Sequence, residues 1–134
     1  MLLLSLAGIG QGNGAGPAIW AVISVVILQI LREENLQATF ISAITKRQTD
    51  LPAVAYVDDA DLYYAATDTT TSGEDLLPTI QKFLTLYQGL LRATGGELKP
   101  SKSHWYLIDW KWDGEGWVHR SIEDMPGNLN VKKE

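Results

Sequence analysis

The first charged residue of the chain is Arg32, and nothing ionisable precedes it except the terminus. So long an uncharged stretch must be buried, be interrupted by loop, or lie against lipid. Part of it is loop. Gly10-Gln11-Gly12-Asn13-Gly14-Ala15-Gly16 has four glycines in seven residues, too much conformational freedom for a helix or strand interior. The apolar run Ala15–Leu31 contains Pro17, Ser24 and Gln29 and falls short of the ~20 residues that span a bilayer. Pro17 suits a helical first turn, where its missing N–H costs nothing. A helix is therefore expected over Ala18–Arg32, apolar on all sides and so buried between other layers. Met1-Leu2-Leu3-Leu4 lacks the basic lead of a secretory signal, which makes the expected location intracellular, cytoplasmic or nuclear, and not secreted. Met1–Ile9 begins without cap or turn, as a chain entering in mid-domain would.

Beyond Arg32 the periodicities change. Ala38–Thr45 alternates loosely and predicts a strand. Ala53–Val57 and Leu62–Ala66 are β-type runs flanking Asp58-Asp59-Ala60-Asp61, the pattern of a hairpin around an acidic turn. Thr67–Gly73 is a polar loop. Asp75 is placed to cap a helix that accommodates Pro78 in its first turn. Leu76, Leu77, Ile80, Phe83, Leu84, Tyr87, Leu90 and Leu91 recur at helical spacing, and Gly95-Gly96 supplies the stop. Trp105–Trp112 and Gly116–Arg120 predict a second hairpin around Asp113-Gly114-Glu115-Gly116. Residues 121–134 are expected to form a flexible tail. The 134 residues make one domain of class α+β, an antiparallel sheet with helices on one face.

The chain has no cysteine and only His104 and His119, which excludes disulfides, a thiolate zinc site, a cysteine nucleophile and a histidine-rich metal site. Its net charge of −5 argues against coating nucleic acid by bulk charge. The segment with chemical content is Tyr56-Val57-Asp58-Asp59. Aspartate is a favoured turn residue, and a two-aspartate turn can be no more than that. The alternative is a pair of carboxylates held for Mg²⁺, a hard ion that takes one or two protein carboxylates plus phosphates and water. Two such ions ~3.5–4 Å apart promote phosphoryl transfer.

Gln11-Gly12, followed by Gly16-Pro17 and a helix, then Tyr56-Val57-Asp58-Asp59, then Gly95, Leu98, Pro100, Lys102 and Ser103, resemble in that order motifs B, C and D of a reverse transcriptase palm. Trp105–Trp110 sits where the primer-grip hairpin, motif E, would be. The resemblance covers residues 9–118 and makes residues 1–120 a partial palm. It implies an RNA-directed DNA polymerase using Mg²⁺ (or Mn²⁺), with Asp58 and Asp59 as catalytic metal ligands. By the same resemblance Gln11, Gly12, Tyr56 and Lys102 line the nucleotide and template site, with Lys102 near the phosphates. Tyr106, Leu107 and Ile108 would form the primer-grip-like segment. Its partners would be an RNA or DNA template-primer and deoxynucleotides.

The sequence departs from that pattern in three places. Gly16 stands for the usual serine before the proline, and Lys99 for the frequent asparagine. No acidic residue precedes Glu33, whereas the family carries its other metal-binding aspartate upstream of motif B. The implied object is a fragment or decayed copy of a retroelement polymerase palm, without fingers, thumb or upstream palm segments, inactive as an isolated chain. Two other readings of the residues stay open. One is a small membrane-associated protein using the charge-free segment; the other is a non-catalytic α+β binding module whose aspartates merely turn the chain. Asp61 is expected on a strand surface. Trp105, Trp110, Trp112 and Trp117 are expected in the core or as cross-strand pairs rather than as base-stacking platforms.

Overall fold

A computed structural model describes residues 15–56, 59–129 and 131–133. It is an α+β arrangement of two helices and eight short strands: α1 (Gly16–Glu33), β1 (Ala38–Ile41), β2 (Gln48–Leu51), β3 (Ala53–Tyr56), β4 (Asp59–Leu62), α2 (Gly73–Ala93), β5 (His104–Trp105), β6 (Trp110–Trp112), β7 (Trp117–His119) and β8 (Lys132–Lys133). The strands do not join into the single antiparallel sheet expected. They pair two by two, as β1–β2, β3–β4 and β6–β7, all antiparallel, and β5–β8, which is parallel. Strands of two to four residues offer few ladder bonds, and each pair relies on what its inner face packs against.

The principal core lies between the helices. Ile27, Leu31 and Leu36 meet Phe83, Tyr87 and Leu91, with Leu31 wholly excluded from solvent. Full burial of a leucine of this kind contributes ~1.5–3 kcal/mol. Glu34, just past α1, pairs with Lys82 at 3.2 Å, and the middle of α1 lines a groove with Leu90, Ala93 and Thr94. The helices therefore run in opposite senses. The ion pair itself is exposed and adds little beyond fixing this alignment.

Burial of α1 on all sides is not what the chain adopts. Only Ile27 and Leu31 of this helix are buried, while Val22, Val25 and Val26 are more than half exposed. The reason is a shortage of layers. With two helices and separate hairpins, nothing among the described residues covers the outer face. Pro17 does occupy the first turn, and no side chain caps the helix.

Helix α2 begins three residues earlier than an Asp75 cap would place it. Ser72 is the N-cap. Its hydroxyl accepts from the Asp75 N–H at 3.2 Å, and the Asp75 carboxylate accepts from the Ser72 N–H at 3.3 Å, so Asp75 completes a reciprocal capping box. Gly95, at φ +87°, takes the left-handed position after the helix. The strand expected over Ala38–Thr45 stops at Ile41. The chain then turns back through Lys46, at φ +58°, into β2, which the sequence reading missed. In that ladder Thr39 donates to the Asp50 carboxylate at 2.7 Å across the strands, which lowers its pKa.

A second, smaller core joins Trp105, Leu107 and Met125 to Leu76 and Leu77 of α2 and to Leu129 and Val131. The segment expected to be a flexible tail thus contributes Met125, only 3% exposed. A Cβ on Gly73 would sit 2.5 Å from the Asp109 Oδ2 and 2.8 Å from the Leu107 Cδ2, so a larger residue here would displace those side chains.

The loop before α2 is organised by Asp68, whose carboxylate accepts from the amides of Thr70 and Thr71 at 2.8 and 2.9 Å and from both hydroxyls. These bonds, the Thr70 hydroxyl foremost, hold its pKa down at about 2. A depressed folded-state pKa contributes stability above the unfolded value of ~4 that is lost as pH falls toward 2. We expect the Asp68 carboxyl carbon to titrate near 2 by NMR. In Asp68→Asn, the loss of stability between pH 4 and pH 2 should be correspondingly shallower.

Candidate functional site

The acidic hairpin owes its two faces to strand alternation. Register pairs Ala53 with Leu62, Val54 with Asp61, Ala55 with Ala60 and Tyr56 with Asp59. Buried Ala53 and half-buried Ala60 and Leu62 form the inner face; the latter two pack on the helical core. A small apolar cavity there is lined by Trp20, Ser24 and Ile27 of α1, Ala55 and Ala60 of the hairpin, and Tyr87 of α2. Small alanines let the ladder lie close to both helices. Burial raises the pKa of the Tyr87 phenol above its usual value. The outer face carries Val54, Tyr56, Asp59 and Asp61, all exposed. The acidic stretch is therefore not a four-residue turn, because Asp59 and Asp61 belong to β4 and the expected strand Leu62–Ala66 ends at Leu62.

Of the residues singled out in the sequence, Gln11, Gly12 and Asp58 lie outside the described residues. Asp59 and Tyr56 are brought together as directly opposed partners, Tyr56 being 78% exposed. Lys102 lies on an exposed turn closed by its own N–H to the Lys99 carbonyl and by the Ser103 hydroxyl to the same oxygen, both at 2.9 Å. Tyr106–Ile108 is not a strand. Leu107 is core, whereas Tyr106 and Ile108 face solvent. Among the described residues no hydrogen bond or ion pair links Lys102 or Tyr106 to the hairpin.

The donor chemistry on the hairpin suits a hard divalent ion. Asp59 and Asp61 lie on one strand face, two residues apart, and offer oxygen ligands only. Among the described residues no group of three or more His, Asp or Glu side chains could hold a metal ion.

The indole side chains divide between the core and cross-strand places expected of them. Trp105 is buried, as a core residue should be, while Trp110, Trp112 and Trp117 are 56–68% exposed. Trp112 and Trp117 do form a cross-strand pair, edge to face at 5.7 Å, and Trp110 meets His119 edge-on at 5.5 Å. Tyr106 stacks on the other side of that histidine at 6.0 Å. Strand alternation in β6 and β7 was the available signal, since Trp110, Trp112, Trp117 and His119 share one parity across the ladder.

No protein-family model, curated protein or solved structure matches the chain.

The two classes of indole predict opposite mutational behaviour. Trp105→Ala should cost ~3–5 kcal/mol in chemical denaturation. Trp112→Ala, losing an exposed edge-to-face contact, should cost about 1 kcal/mol.

Proposed function

We propose that the chain is part of the palm of an RNA-directed DNA polymerase, with its Tyr56-Val57-Asp58-Asp59 hairpin as the metal-binding element. One observation supports this above the others. The hairpin has an inner face packed on two helices through Ala53, Ala55, Ala60 and Leu62, and an outer face that carries Asp59 and Asp61 into solvent. The helix at its back follows the glycine loop, and the second helix leads into the Gly95–Ser103 segment. A nucleic-acid-processing site needs that asymmetry, one side rigid and one side open to a large substrate.

On this reading Asp58 and Asp59 would hold Mg²⁺ or Mn²⁺, which would neutralise charge on the phosphates of an incoming nucleotide. Tyr56, opposite Asp59, keeps an exposed ring beside the carboxylate and can contact a base or sugar. Lys102 would supply positive charge to a phosphate. Full two-ion catalysis needs more carboxylate ligands than adjacent aspartates offer, so polymerisation belongs to the complete enzyme and metal binding to the chain alone. The test is Mn²⁺ titration followed by paramagnetic broadening of amide signals. We expect broadening centred on Asp59, weakened about tenfold or more in Asp58→Asn and Asp59→Asn. Broadening unchanged by both substitutions, or centred away from the hairpin, would refute it.

A membrane-associated role is favoured by a separate observation. Among the described residues, α1 is long and apolar enough to cross a bilayer by length and composition, with a mean hydropathy of 1.5 and little of it buried. Its inner face is engaged by α2, so the interaction would be with the bilayer surface. Such a chain should float with phosphatidylcholine vesicles, and Val25→Glu should leave it in the soluble fraction.

A further inference from the structure

We propose that the aromatic face of the β6–β7 hairpin is a docking surface for an arginine-rich segment of a partner protein. This rests on the hairpin geometry alone and is independent of the polymerase reading. Three indoles and the His119 imidazole lie on one side of a two-stranded ladder, with the Tyr106 phenol stacked on His119; the rings meet as Tyr106–His119–Trp110 and as Trp112–Trp117. Each indole keeps more than half its surface in water. Scattered exposed aromatics are ordinary; five rings gathered on one hairpin, a group of three and a pair, mark a recognition surface.

Charge selects the occupant. Residues 109–124 hold five carboxylates (Asp109, Asp113, Glu115, Glu123 and Asp124) against two cations, Lys111 and Arg120. Both cations are already engaged. Arg120 bonds the Asp109 carboxylate at 2.9 Å, and Lys111 bonds that of Asp124. Asp113, Glu115 and Glu123 have no ion-pair partner among the described residues. Asp113 and Glu115 follow Trp112 directly and precede Trp117 at the turn, so negative charge borders the indole pair. A nucleic-acid strand would bring phosphates to that border, and like charges repel. A purely apolar partner would cover the carboxylates without pairing them. A guanidinium satisfies both requirements, since it stacks on an indole face and forks onto a carboxylate, which a lysine ammonium does less well.

The platform is held ready for binding. Arg120 donates on to the Asp124 carbonyl at 3.2 Å, and the Asp113 carboxylate accepts the turn amides of Glu115 and Gly116 at 2.9 and 2.8 Å. Met125, directly after Asp124, anchors this assembly in the second core. Little order has to be imposed when a ligand arrives.

The test is isothermal titration of the full chain with a short peptide alternating arginine and glycine, its lysine counterpart, and single-stranded oligothymidylate. The arginine peptide should bind ~3–10-fold more tightly than the lysine peptide and more tightly than the oligonucleotide, and the Trp112→Ala/Trp117→Ala double variant should lose about tenfold. Circular dichroism monitors folding of that variant. If it does not fold, Glu115→Gln, at an exposed turn position, serves instead and should weaken the arginine peptide ~2–5-fold at low salt. Preferential binding of the oligonucleotide, no binding of the arginine peptide, or an affinity indifferent to the folded variants would each overturn the proposal.

Discussion

The contact of Leu31 and Ile27 on α1 with Phe83, Tyr87 and Leu91 on α2 carries the rest of the molecule. The strands are too short to stabilise one another, since a two-stranded ladder in water is marginal unless one face is covered. The β3–β4 hairpin gains that cover by laying Ala60 and Leu62 against the helix pair. Loosening the helix pair would free the hairpin that holds the candidate metal ligands. The second core, around Trp105, Leu107 and Met125, does the same work for the other end of α2 and for the aromatic hairpin.

The β3–β4 hairpin presents one face to the helices and one to solvent, and β6–β7 gathers its aromatic rings on one exposed face, so the two expose different chemistry. β3–β4 shows carboxylates beside a tyrosine, a surface suited to a hard cation and whatever phosphate accompanies it. β6–β7 shows linked aromatic rings bordered by carboxylates, a surface suited to an organic cation. Under the two proposals, an acidic chain would take a positive ligand on each of these faces. Under the polymerase proposal, charge reversal at the hairpin comes from bound metal rather than from basic side chains of this chain.

Much of the local structure could be read from the residues. Pro17 in a first turn, apolar spacing from Leu76 to Leu91, the stop at Gly95 and the acidic turn between Trp112 and Trp117 all follow from backbone chemistry that acts within a few residues. The errors fell where several local rules competed. Asp75 was read as a cap, yet Ser72 also caps well, and together they form a box that only one start position allows. Ala38–Thr45 looked continuous because nothing in it breaks a strand; the turn instead uses Lys46 in a left-handed conformation, which a lysine seldom signals. Of the candidate site, a hairpin at this place was legible, but the pairing of Tyr56 with Asp59 was not, because Asp59 and Asp61 enter the ladder rather than the turn. Nor was the separation of Lys102 and Tyr106 from the hairpin, because it depends on how distant segments pack.

What the sequence by itself determined was therefore the inventory: two amphipathic or apolar helices, acidic and aromatic hairpins, and an uncharged lead segment. These arise from propensity, periodicity and turn chemistry, all short-range. Only the tertiary structure decided which apolar residues are interior. α1 is apolar nearly all round, yet α2 and one narrow hairpin cover a single stripe of it, leaving Val22, Val25 and Val26 in solvent. Four tryptophans in one stretch look alike in sequence, yet Trp105 is core and Trp110, Trp112 and Trp117 are surface. Hydrophobicity sets how strongly a side chain favours burial; whether it is buried depends on how many layers the fold can bring to it.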